Sequence, residues 1–263
     1  MNNFKEISRT LSIAICIALT ACIACTALMF VIGVKSDIYS PPPLHPDGSN
    51  ISEEYDPTLL PTHDYGDIYV SRMMIFCDHV LFGITELNLL KDNSVIISGK
   101  NGDMPLDFST AYAETVYTSL DGKARSLVDA VSEQKPQYLL ISIGLKNGVE
   151  HCDEEKFKQY YQKVIDAVVS VSPGTLIVLQ SVLPVSQSVS KSTPALSINK
   201  IDKANEWIYE ICKDNSLRYL NVQEALKNDH GYLSSEFDSG DGIHLNEQGY
   251  RTVVEYIKTH GYK

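Results

Sequence analysis

The chain has no surplus of basic charge, no cysteine framework and no internal repeat, and each absence removes a class of function. Over 263 residues it carries a formal net charge of −11. Residues 1–35 hold Lys5, Glu6, Arg9 and Lys35, a net +2, which leaves −13 on the remainder. Phosphate binding needs a basic face, so a nucleic-acid partner is excluded. Of the six cysteines, Cys16, Cys22 and Cys25 lie in an apolar N-terminal run, while Cys77, Cys152 and Cys212 are widely spaced. Three such thiols show no zinc spacing and allow at most one internal bridge; the simplest reading of each is a small apolar core residue. No metal or organic cofactor is implied.

What the sequence does have begins with an uncharged run from Leu11 to Val34, preceded by Lys5 and Arg9. At ~1.5 Å per residue it is long enough to cross a ~30 Å hydrocarbon core as a helix. The positive-inside tendency places residues 1–10 in the cytoplasm and the chain after Lys35 outside. Leu19-Thr20-Ala21-Cys22 resembles a bacterial lipoprotein cleavage box, but the run stays apolar from Ile23 to Ile32, as a membrane span does. The expectation is an uncleaved transmembrane anchor over 11–34, preferred to lipidation at Cys22. Residues 35–68 follow, with Pro41-Pro42-Pro43, Pro46-Asp47-Gly48, Pro57 and Pro61. Proline without periodicity predicts a stiffened extracytoplasmic linker.

From residue 69 to 263 short apolar runs alternate with amphipathic ones. Val80 to Gly83, Ser94 to Ser98, Tyr138 to Ile143, Leu176 to Leu179 and Leu217 to Val222 read as strands. Phe157, Tyr160, Tyr161, Val164, Ile165 and Val168 share one helical face behind the acidic turn Asp153-Glu154-Glu155. Ile198, Ile201, Ala204, Ile208 and Ile211 mark a second helix, and Tyr250, Val253, Val254 and Ile257 a last one. Strands that are apolar nearly throughout, alternating with helices, predict a mostly parallel five-stranded sheet covered on both faces, a three-layer α/β/α sandwich. Ligands in such folds bind at the C-terminal ends of the strands.

Asp241-Gly242-Ile243-His244-Leu245 lies just before that last helix. An imidazole takes and returns protons near neutral pH, and a carboxylate on its other nitrogen fixes the tautomer. Asp241 and His244 are therefore a candidate orienting acid and general base. Asp241 capping its own loop, with His244 a surface residue, is the competing reading of a D-x-x-H taken alone.

The set of positions from about Phe76 to Tyr262 resembles the SGNH/GDSL hydrolase family, esterases and lipases of flavodoxin-like α/β architecture. In that family a Gly-Asp-Ser after the first strand carries the nucleophile. A glycine after the second strand and the asparagine of a Gly-x-Asn-Asp after the third complete the oxyanion hole, and a late Asp-x-x-His supplies acid and base. Asp241 and His244 fit the last block. With Val80 to Gly83 as first strand, Ile84 and Thr85 fall at the family's aspartate and serine positions. Gly144-Leu145-Lys146-Asn147 places Lys146 at the asparagine position, with Asn147 next to it. Gly99 or Gly102 fits the second-block glycine.

The resemblance implies a membrane-anchored ester hydrolase acting on an acyl or acetyl ester, for example of a cell-surface glycan. Thr85 is then the nucleophile, Asp241 and His244 its acid–base pair, and Gly99 or Gly102, Gly144 and Lys146 or Asn147 the oxyanion surroundings. The alternative is a non-catalytic descendant that keeps the fold and the pocket for binding, which the changes at Ile84, Thr85 and Lys146 favour. Thr85 as a helix cap and Lys146 as a solvated loop charge are the plain structural readings. Asp78 and His79 are expected before the first strand, at its far end from the site. Oligomeric state is not legible.

Overall fold

Five consecutive apolar residues, Met73–Cys77, form the central strand β1 in a computed structural model of the protein, and all five are buried. The structure describes residues 55–87, 89–90, 95–98, 108–113, 115–118 and 123–262. The expected anchor over 11–34, Cys22 and most of the expected linker lie outside the described residues, as do Gly99 and Gly102. Among the described residues no helix is long and apolar enough to cross a membrane.

Chain order gives α1 (Gly66–Val70), β1, α2 (His79–Glu86), β2 (Val95–Ser98), β3 (Thr115–Thr118), β4 (Ala124–Ser126), α3 (Leu127–Gln134) and β5 (Tyr138–Ser142). There follow α4 (Glu154–Val171), β6 (Leu176–Gln180), α5 (Gln187–Ser192), α6 (Ile198–Asp214), β7 (Arg218–Leu220), α7 (Gln223–Leu226) and α8 (Glu247–Thr259). Among the described residues the sheet has seven strands in the order β4-β3-β2-β1-β5-β6-β7, rather than the expected five. Five of them, β2 to β7 across β1, β5 and β6, are parallel. The two extra strands, β3 and β4, pair antiparallel at the β2 edge. They are short and lack a continuous apolar run, so periodicity does not mark them.

Every residue of β1 is buried, and so are all but the first of β5 and of β6. Side chains alternate between faces along a strand, so both faces of the sheet are covered. The helices sort into two sets, α3, α4 and α6 against one another, and α1, α2 and α7 against α8. The result is the α/β sandwich with a mostly parallel sheet. α4 shows how the sequence sets a helix: Asp153 caps it by accepting from the Lys156 amide at 3.0 Å, and Phe157, Tyr161, Val164, Ile165 and Val168 form its buried stripe.

Two expectations need correction. Val80 to Gly83 is not a strand but the first turns of α2, because Asp78 caps that helix through the Val80 amide at 3.1 Å. Val80, Leu81 and Ile84 then form a buried helical stripe instead of a strand run. The compact unit also begins at Tyr55 rather than residue 69. Pro57 and Leu59 hydrogen-bond the backbone of Tyr219 at the β7 edge, and Thr62 and Tyr65 bond the end of α8. Proline there permits an extended segment that still pairs with an edge strand.

Candidate functional site

The C-terminal ends of β1 and β5 lie flush, with Cys77 paired to Ser142 and the Asp78 amide donating to the Ser142 carbonyl at 3.1 Å. Asp78 therefore emerges at the ligand-binding edge of the sheet, and His79 follows as the first residue of α2. This is the opposite end of the first strand from the one expected. The five apolar residues before them, followed by an aspartate cap and helical spacing, are the signal that locates both.

Asp78 is buried, and its carboxylate accepts from the amides of Val80, Gly144 and Leu145. Burial pushes its pKa up to about 6, against those amides and the His244 charge, which pull it down. The Gly144–Asn147 loop is thereby tied to the end of β1. Beneath it lies a cavity of about 10 Å³ lined by Asp78, Val80, Ser142, Ile143, Leu145, Val182 and Leu183. It is about the size of one water molecule.

His79 stands edge-on to His244, with ring centroids 5.2 Å apart and planes at 75°. Its Nδ1 is buried and makes no hydrogen bond. Burial lowers its pKa to about 4, reinforced by the charges of His244 and Lys146 and opposed by Asp241. Lys146 lies in the loop after β5.

The other half of the site is the turn from Asp238 to Asn246. Asp238 Oδ1 accepts from the Gly240 amide at 2.8 Å and the Gly242 amide at 2.9 Å. Asp241 Oδ1 accepts from the amides of Ile243 and His244, and its Oδ2 lies 2.5 Å from His244 Nδ1. Partial burial works against ionising Asp241, but the bonds from the His244 ring and from both amides prevail and hold its carboxyl well below the usual range. Gly242 has φ +78°, and a Cβ there would strike Ser186 and Val189 of the segment that opens α5. Asn246 closes the turn by capping α8 through the Gly249 amide at 3.0 Å.

Of the expected site residues, the structure bonds Asp241 to His244 and ties Gly144 to Asp78, next to His79, with Lys146 and Asn147 following in the same loop. Asn147 has φ +58°, and its carbonyl accepts from the Cys152 thiol at 3.4 Å. Thr85 does not join them. It sits in the last turn of α2, and its Oγ1 is buried without any hydrogen-bond partner, so it makes no bond to His244. The misplacement follows from reading α2 as the first strand. Among the described residues no hydroxyl bonds the His244 ring, and no cluster of three or more His, Cys, Asp or Glu could hold a metal ion.

Gly83, expected at a strand end, instead lets two helices approach. A Cβ there would fall within the Tyr250 ring, whose hydroxyl donates to the Val80 carbonyl at 3.0 Å. That contact fixes α2, and so His79, against α8, which follows the His244 turn.

Residues 89–252 match the family described as GDSL-like Lipase/Acylhydrolase. The match begins beyond β1 and the turn that carries Asp78 and His79. A rice protein, the GDSL esterase/lipase WDL1 of Oryza sativa subsp. japonica, is 22% identical over 195 residues, covering 64% of this chain and 74% of that one. A GDSL-like lipase from Bacteroides thetaiotaomicron is 18% identical with a TM-score of 0.48, over 70% of this chain and 84% of that one. A carbohydrate esterase family 3 protein from Talaromyces cellulolyticus is 13% identical with a TM-score of 0.45, over 70% and 92%.

Proposed function

The chain belongs to the GDSL-like lipase/acylhydrolase family, and we propose that it is a membrane-tethered, extracytoplasmic member that binds an acyl-derived surface ligand without a covalent step. One observation carries this reading. The first strand ends at Cys77 and is followed by Asp78-His79, so an imidazole stands where the family's serine nucleophile is expected. An acyl–enzyme route needs a hydroxyl or thiol within reach of the base, and none hydrogen-bonds the His244 ring among the described residues. Cys77 is fully buried, and burial pushes its thiol pKa well up, so it is no substitute. Lys146 at the position of the oxyanion asparagine supports the same reading. The tether and its orientation rest on the apolar run over 11–34 and the basic residues before it.

A second reading has its own observation: the Asp241–His244 pair is fully assembled. His244 as general base could activate a water molecule for direct attack on an ester. Hydrolysis of a small activated acetyl ester separates the two. Full-length protein is expected to give no rate above buffer, and His244→Ala and Thr85→Ala to change nothing. A wild-type rate abolished by His244→Ala alone would establish the water route. A rate abolished by Thr85→Ala as well would restore threonine as nucleophile.

A further inference from the structure

A larger cavity, of about 230 Å³, opens at the other end of the sheet from Asp78 and His79. It is lined by Ser71 to Met74 and by Gln134, Pro136 and Gln137, where β1 and β5 begin and α3 ends. Its walls are fixed by the backbone. Lys135 turns the chain out of α3 with a left-handed φ of 45°, and the Tyr138 amide donates to the Arg72 carbonyl at 3.3 Å. The Leu176 amide holds the Gln137 carbonyl at 3.0 Å, and Thr175 Oγ1 holds that of Pro136 at 2.8 Å. Arg72 is the one charged residue of the lining. Its guanidinium makes a single long bond, from Nη1 to Gln137 Oε1 at 3.4 Å, and no ion pair among the described residues. Glu133, just before Gln134 in α3, is instead paired with Arg125 at 3.4 Å.

We propose that this cavity is a second binding site, for a small aromatic monocarboxylate whose carboxylate meets the Arg72 guanidinium and whose ring lies against Met73 and Met74. A guanidinium fork matches a carboxylate with two parallel N–H bonds, and four of its five donors are unengaged. Thioethers make favourable contacts with aromatic rings, and Pro136 adds a further apolar wall. Size limits the ligand to about one ring, since drug-sized molecules need pockets of about 300–1,000 Å³. Charge limits it to a monoanion, because one guanidinium beside the C-terminal carbonyls of α3 disfavours a denser negative charge. The site is independent of the reading of His244.

The test uses full-length protein in detergent micelles with isotope-labelled methionine methyl groups. The Met73 and Met74 resonances are followed at pH 7 as sodium benzoate replaces sodium chloride at fixed ionic strength. The expected result is a saturable shift at both, weakened at least about tenfold in Arg72→Gln, partly retained in Arg72→Lys and unchanged in Lys200→Gln, an exposed lysine of α6. Benzyl alcohol, which keeps the ring without the charge, and acetate, which keeps the charge without the ring, should each bind more weakly than benzoate. No saturable shift at Met73 and Met74, or equal affinity in Arg72→Gln, would overturn the proposal. Benzyl alcohol binding as well as benzoate would deny the guanidinium its role, and inorganic phosphate binding more tightly than benzoate would overturn the ligand class.

Discussion

The two halves of the site are built in different ways. The His244 half is a turn whose bonds run among near neighbours: Asp238 to Gly240 and Gly242, Asp241 to Ile243 and His244, and Asn246 to the Glu236 carbonyl at 2.8 Å. The His79 half is assembled from distant segments, the end of β1, the loop after β5 and the face of α8. A local turn preserves its geometry as long as its own residues persist. A junction of three segments can keep its backbone while the reacting side chain is exchanged. In this chain the first holds the Asp241–His244 pair, and the second holds the His79 imidazole, where the proposed reading expects the nucleophile.

The largest expected effect is on the local half. Gly242→Ala combines a left-handed backbone with a clash against Ser186 and Val189, and should cost about 2–4 kcal/mol in denaturant unfolding. The His244 resonances should move while the β1 end stays as it is. Gly83→Ala strikes the other half by driving α2 from Tyr250, at about 1–3 kcal/mol. Displacement of His244 as severe as that of His79 in the Gly83 variant would break the contrast between the halves.

Asp78→Asn sharpens it through pH. The Asp78 pKa is raised from 3.8 to about 6, so its contribution is fully present below pH 3.8 and lost as pH rises through 6. The loss is at most about 3 kcal/mol, since each tenfold change in proton affinity is worth about 1.4 kcal/mol. His79 is lowered from 6.5 to about 4, so its contribution is present above pH 6.5 and lost as pH falls through 4. The two slopes oppose each other between pH 4 and 6. Urea unfolding of Asp78→Asn should show the acid-side loss steepened across that window, and stability at pH 7 no lower than wild type.

Asp241→Asn should cost about 0.5–1 kcal/mol at pH 7, since the pair is largely exposed. The depressed Asp241 pKa gives wild type a stability present above the ordinary carboxylate range and lost as pH falls; the variant should lack that loss. The smallest effect has the opposite sign. Thr85→Val removes a buried hydroxyl with no partner and should stabilise by up to about 1 kcal/mol, leaving ligand binding unchanged.

The same contrast explains what the sequence disclosed. Asp241 and His244 were legible because their partners lie within a few residues. The helices at 154–171, 198–214 and 247–259 were legible from their apolar stripes, and β5 and β6 from unbroken apolar runs. The first strand was not. Met73–Cys77 and Val80 to Phe82 are both apolar, and a short run does not declare its period. Taking the second as the strand moves the nucleophile position from His79 to Thr85, to the far end of α2 and away from the site. The loop at Gly144 was legible because β5 was, although its bonds to Asp78 depend on a strand register that no local pattern displays.

The most direct measurement is covalent labelling by a fluorophosphonate probe, which loses fluoride to an activated serine and is read as intact mass. Wild type should remain unlabelled, and His79→Ser combined with Lys146→Asn should acquire one adduct at position 79, abolished when His244→Ala is added. A labelled wild type, with the adduct lost in Thr85→Ala, would contradict the account at its centre.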